Sequence, residues 1–151
     1  MSLNLAHFLY LTAREHPEKT AVVLDDYRLS YQEVLTYARR VASLLHAKGI
    51  RRGDKVAMMI PNSPHFPVIY FGALLAGAVV VPVNCLLKGH EIHYYLEDSD
   101  ARLFFTWIDF LDESIKAMEE ALTCQHLVVV SYPNDREDPV RSEERRVGKE
   151  C

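Results

Sequence analysis

Between Ser30 and Asn84 the sequence switches repeatedly between a helical period and short apolar runs, with only tight turns between them. That alternation restricts the fold more than any other feature of the chain. Tyr31, Val34, Leu35, Ala38, Val41, Ala42 and Leu45 recur at the three-and-four spacing of one buried helix face, with Gln32, Glu33, Arg39, Arg40 and Lys48 lying off it. Ser30 and Glu33 form the Ser-x-x-Glu pattern of a capping box, whose hydroxyl and carboxylate satisfy free amides at a helix start. Gly49 then supplies a left-handed stop. After a Gly53-Asp54 turn, Lys55 to Ile60 reads as a compact strand. Pro61-Asn62-Ser63 leaves it, and Ser63 is expected to cap a second helix with Pro64 in its first turn. That helix carries Phe66, Ile69, Tyr70, Ala73 and Leu74 and stops at Gly77. Ala78 to Val83 is a nearly continuous β-branched run, the pattern expected of a strand buried on both faces.

The flanks extend the same rhythm. Asn4 can cap a first helix with Leu5, Phe8, Leu9 and Thr12 on one side, and His16-Pro17 stops it, because the residue before proline avoids helical angles. Ala21 to Leu24 and Tyr27 to Leu29 flank an Asp25-Asp26 turn and predict a small hairpin. Beyond Asn84, a short helix is expected at His90 to Glu97, a strand at Arg102 to Thr106, a helix from about Asp109 to Leu122, and a strand at His126 to Ser131. Strands alternating with helices imply right-handed crossovers and an α/β fold with a mostly parallel sheet. Residues 1–140 form one incomplete subdomain on this reading. Tyr132 to Val140 reads as a polar loop. Arg141 to Cys151 is a charged tail that cannot continue the core, expected to be disordered or a non-native addition such as a cloning or adapter sequence.

Composition narrows the function classes. At 151 residues the chain is the size of one domain, and 49% hydrophobic with 25% charged residues is ordinary for a globular protein. A formal net charge of −4 without a basic face argues against nucleic acid as a partner. Val68 to Val83 is too short for a membrane span and is broken by Gly72, Gly77 and Pro82. The N-terminus has neither the basic lead nor the cleavage site of a secretory signal. Cys85, Cys124 and Cys151 are odd in number and widely spaced, so a disulfide framework is not expected and a reducing cytoplasm suits the chain.

Each candidate for chemistry meets a simpler structural reading. Gly72 and Gly77 have the spacing of a phosphate loop, but Ala78-Val79 stands where Lys and Ser/Thr must follow, so helix packing and a cap account for them. His90-Glu91-Ile92-His93 places its histidines three apart rather than the four that a zinc-binding helix needs, and reads as a solvated helix start. Cys85, at the end of what reads as the most buried strand, has no histidine paired with it and reads as a packed thiol. Glu97, Asp98 and Asp100 read as solvated or capping acids rather than a carboxylate dyad. Ser63 lacks the Gly-x-Ser-x-Gly elbow of a nucleophile. Tyr94, Tyr95 and Trp107 read as packing aromatics. No catalytic, cofactor-binding or metal-binding residue is assigned.

With these motifs in place, residues 4–132 resemble the N-terminal part of an adenylate-forming enzyme of the acyl-CoA synthetase branch. Five fragments carry the resemblance in order: Leu29-Ser30-Tyr31-Gln32-Glu33-Val34; Gly49 with Gly53-Asp54-Lys55-Val56-Ala57; Pro61-Asn62-Ser63; Leu75 through Asn84; and Glu91-Ile92 with Leu96 through Ala101. Cys85 departs from the proline found in many relatives after the asparagine, which affects one turn. The resemblance implies the front of a ligase large domain. It implies a carboxylic acid substrate, ATP and Mg2+ for the acyl-adenylate, and coenzyme A as acceptor. It also implies that the phosphate loop, its lysine and the other ligand contacts follow the segment seen here, so that the fragment alone is inactive. An amino-acid adenylation domain shares the same front motifs. A non-catalytic α/β module binding a partner through a sheet edge or apolar face is the alternative from another class.

Overall fold

The computed structural model describes residues 4–131. The elements are α1 (Ala6–Glu15), β1 (Thr20–Leu24), β2 (Tyr27–Ser30), α2 (Tyr31–Ala47), β3 (Lys55–Met59), α3 (His65–Leu75), β4 (Val79–Pro82), α4 (Gly89–Asp98), β5 (Ala101–Trp107), α5 (Leu111–Glu120) and β6 (His126–Val130), with a 3-10 turn at Ile108–Phe110. The expected loop at 132–140 and the tail at 141–151 lie outside the described residues.

The described residues divide into two compact units, the first made of 4–53 and Asn62–Val79. Its centre is α2. Ser30 Oγ accepts the Glu33 N–H at 3.2 Å and Glu33 Oε2 accepts the Ser30 N–H at 2.7 Å, so the capping box is complete. Val34, Leu35, Ala38, Val41, Ala42 and Leu45 are all buried, which is the face read from the sequence. Gly49 (φ 77°) and Gly77 (φ 78°) end α2 and α3 in left-handed geometry that favours glycine. The α2–α3 approach is close at Gly72, where an added Cβ would sit 2.5 Å from Val41 Cβ and 2.9 Å from the Ala38 carbonyl.

Three local expectations need revision in this unit. Asn4 does accept the Ala6 N–H at 2.9 Å, but α1 buries Ala6, Leu9 and Ala13 while Leu5 and Phe8 are exposed. Small residues let this short helix approach α2 and α3, so the burying stripe is offset from the larger apolar one. β1 and β2 pair antiparallel as a hairpin, with Asp25 (φ 51°) taking the turn and β1 one residue longer than expected. Ser63 does not cap α3: Pro64 already has helical angles, and the Phe66 N–H goes to the Ser63 backbone carbonyl at 3.0 Å. The Phe66 amide, which a capping hydroxyl on Ser63 would serve, is therefore already taken by the Ser63 main chain.

The second unit comprises Asp54–Pro61 and, among the described residues, 80–131. Its sheet has the order β4-β3-β5-β6. β3 pairs parallel to β5, with Val56 opposite Leu103 and Met59 opposite Thr106. β5 pairs parallel to β6, from Leu103 opposite His126 to Trp107 opposite Val130. A core of Ala57, Met59, Phe104 and Leu127 from the strands, with Ile92, Leu96, Ala117 and Ala121 from the helical side, joins α4 and α5 to one sheet face. Each large aliphatic side chain buried this way contributes about 1.5–3 kcal/mol. The residues between, including Val56, Met58, Leu103 and Phe105, are buried as well, so β3 and β5 are buried on both faces.

The Ala78 to Val83 run behaves differently from its reading. It forms β4, but Val79 is 49% exposed, Val80 and Val81 are half-buried, and Pro82 is exposed. β4 stands at one end of the strand order, where Pro82 costs no ladder bond that a central strand would need. β-branched composition identified a strand; its position in the sheet set its burial.

Candidate functional site

In open α/β sheets ligands sit beyond the carboxyl ends of the strands, where the order of connection reverses. Here β3 leads to β4 on one side and β5 leads to β6 on the other, so the reversal lies between the ends of β3 and β5. The residues at those ends, Ile60 and Pro61, Trp107 and Ile108, are apolar and carry no titratable group.

Of the side chains singled out in the sequence, Trp107 lies at one of those ends, as the last residue of β5. Gly72 is inside α3 and filled against Val41, so the Gly72–Gly77 segment offers no open cradle to a phosphate. His90 is exposed, whereas His93 on the same helix has Nδ1 3.3 Å from the Ala117 carbonyl. The oxygen can only accept, so the ring nitrogen donates. Among the described residues no group of three or more His, Cys, Asp or Glu could hold a metal ion.

Both described cysteines are free. Cys85 is half-buried against the core beneath α4 and α5, not at the end of the most buried strand as the sequence suggested, since that place belongs to β3 and β5. Burial raises its pKa, partly offset by a backbone hydrogen bond. Burial pushes the Cys124 thiol up to about 12. Neither is an activated nucleophile, which requires a lowered thiol pKa.

The three clustered acids have separate tasks. Asp100 takes left-handed geometry (φ 53°) and its N–H donates to the Glu97 carbonyl at 3.1 Å, closing α4. Asp98 is exposed. Glu97 reaches across to the turn after α5, and the Leu122 and Thr123 amides hold its carboxyl below the usual carboxylate range. Ser63 Oγ is buried without a hydrogen-bond partner. Tyr94 and Tyr95 are exposed and meet edge to face at 6.3 Å, while Trp107 is buried in β5.

Sequence reasoning passed over three polar groups that the fold uses. Thr106 on β5 and Ser114 on α5 are fully buried and joined hydroxyl to hydroxyl at 2.7 Å, and Ser114 Oγ also donates to the Phe110 carbonyl at 2.9 Å. The signal was present: Ser114 and Ala117 sit three apart on an otherwise acidic helix, marking its inward face. The third is Glu113, whose carboxylate accepts the Gly89 N–H.

The family model described as AMP-binding enzyme matches residues 9–150. The chain is 33% identical over 125 residues to a long-chain-fatty-acid–CoA ligase of Bacillus subtilis, covering 83% of this chain and 22% of that protein. It is 40% identical over 102 residues to the long-chain-fatty-acid–CoA ligase FadD13 of Mycobacterium tuberculosis, covering 66% of this chain and 20% of the relative. Among solved structures, a benzoate CoA ligase from Burkholderia xenovorans superposes with a TM-score of 0.79 at 30% identity, over 91% of this chain and 26% of that one. The anthranilate CoA ligase AuaEII, in complex with anthranoyl-AMP, gives a TM-score of 0.81 at 27% identity, over 85% and 25%. The chain thus spans about a fifth to a quarter of the length of the relatives it matches. A family match over nearly all its residues, on a parallel sheet shared with solved ligases, places the chain in the AMP-binding enzyme family.

Proposed function

We propose that this chain is the N-terminal scaffold segment of an ATP-dependent acyl-CoA ligase. The whole enzyme joins a fatty or aromatic carboxylic acid to coenzyme A through an acyl-adenylate, with ATP and Mg2+. The observation that carries the reading is the match to CoA ligases across most of this chain but only about a quarter or less of theirs. The segment supplies caps, turns and sheet core, and the ligand contacts belong to the remaining length. On this reading residues 1–140 are the incomplete subdomain and 141–151 a charged tail, disordered or non-native. The free thiols Cys85 and Cys124 suit a reducing cytoplasm. Among the described residues no helix is long and apolar enough to cross a membrane.

Pyrophosphate exchange with a panel of fatty, benzoic and amino acids tests the proposal. The 151-residue chain is expected to give none. A ligase built by joining residues 1–140 to the remainder of a relative is expected to exchange with a fatty or aromatic acid. Turnover by the short chain overturns the scaffold reading; exchange by the joined enzyme with amino acids alone reassigns it to amino-acid adenylation. Exposed Val23, Leu24 and Tyr27 on the hairpin favour a second reading, a non-catalytic module that binds a partner there. A monodisperse, cooperatively unfolding 151-residue chain supports that module.

A further inference from the structure

One side of α4 carries Gly89, His93 and Glu97, spaced four apart and therefore stacked turn above turn. α5 and the turn behind it answer each of them. Glu113 Oε2 accepts the Gly89 N–H at 2.7 Å. The Ala117 carbonyl accepts from His93 Nδ1 at 3.3 Å. Glu97 Oε1 accepts the Leu122 N–H at 2.8 Å, the Thr123 N–H at 3.3 Å and the Thr123 hydroxyl at 3.2 Å. The start of α4 lies so close to α5 that a Cβ on Gly89 would meet Lys116 Cβ at 2.9 Å. Ile92, Leu96, Ala117 and Ala121 fill the space beneath. Apolar contact alone tolerates sliding of one helix along another; amides bonded to fixed carboxylates do not.

We propose that this seam is a two-ended clasp: Glu113 and Glu97 lock α4 and α5 into one layer, and protonating them opens that layer while the β3–β5–β6 sheet stays folded. His93 and Cys124 are the titratable groups facing Glu97. Lys88 and Lys116 face Glu113, with Asp112 and Glu119 beside Lys116. Both carboxyls are held below their usual range, Glu97 first by the Leu122 amide and Glu113 first by Lys116. Their contribution is therefore complete above a carboxylate pKa of about 4.3 and lost as pH falls below it.

Amide hydrogen exchange on the full 151-residue chain, read residue by residue between pH 7 and pH 3, tests the clasp. After correction for intrinsic rates, Gly89, Leu122 and Thr123 are expected to lose roughly tenfold protection in acid, as for a lost charge-assisted hydrogen bond. Phe104 and Phe105 are expected to keep theirs. Glu97→Ala is expected to remove protection at Leu122 and Thr123 at pH 7 and leave Phe104 unchanged. Unchanged protection at Leu122 and Thr123 in that variant overturns the proposal. So does acid exchange in which clasp and strand amides open together in the wild-type chain, a readout that needs no variant to fold.

Discussion

Gly72 shows how much one missing atom can matter. In an ordinary helix interior alanine is better than glycine by about 0.5–1 kcal/mol. Here the alanine methyl would lie 2.5 Å from Val41 Cβ on one side and 2.9 Å from a backbone carbonyl on the other. The carbonyl cannot move without shifting α2, so overpacking wins, and Gly72→Ala is expected to destabilise by roughly 1–3 kcal/mol. A urea midpoint at or above that of the parent chain contradicts this. The cysteines differ by environment in the same way. With a pKa of about 12, Cys124 is almost wholly thiol at pH 8. Cys85 is half-buried and less strongly shifted. Iodoacetamide at pH 8 is expected to label Cys85 before Cys124, read by peptide mass mapping; equal labelling of Cys124 in the folded chain speaks against the packing described for it.

At the scale of elements, two serines that look alike in sequence part company. Ser30 and Ser63 both precede helices, but only Ser30 serves amides that nothing else satisfies. Ser30→Ala is expected to cost about 1 kcal/mol. Ser63→Ala removes a buried hydroxyl that has no partner and is expected to be neutral or slightly stabilising. Thermal unfolding of the two variants side by side checks the pair, and a larger loss from Ser63→Ala would reverse the assignment. The Phe66 amide, placed relative to Ser63 as Glu33 is to Ser30, goes instead to the Ser63 backbone carbonyl.

For the whole molecule, the lowered carboxyls of Glu97 and Glu113 predict the sense of acid sensitivity. The unfolded chain binds protons at these sites before the folded one does, so stability declines as pH falls below about 4.3. Denaturant midpoints measured from pH 7 to pH 3 are expected to fall, and to fall less in a Glu97→Ala, Glu113→Ala double variant. Identical pH slopes for parent and double variant would show that other groups dominate. The same scale carries the family assignment, which rests on a match over residues 9–150.

Much of the fold is legible before any coordinates. The capping box at Ser30, the buried face of α2, the hairpin turn at Asp25 and the helix stops at Gly49 and Gly77 depend on neighbours within a turn or two, so adjacent residues encode them. The exposure of β4, the idle hydroxyl of Ser63 and the task of Glu97 do not. β4 is exposed because of where it falls in the strand order, and Glu97 meets amides 25 and 26 positions away. Local pattern states that a residue is polar or that a run is β-branched; which distant group it meets depends on how the chain returns through space. The family signal is local for the same reason: the motifs that carry it serve caps, turns and strands, as the capping box at Ser30 and the stops at Gly49 and Gly77 show.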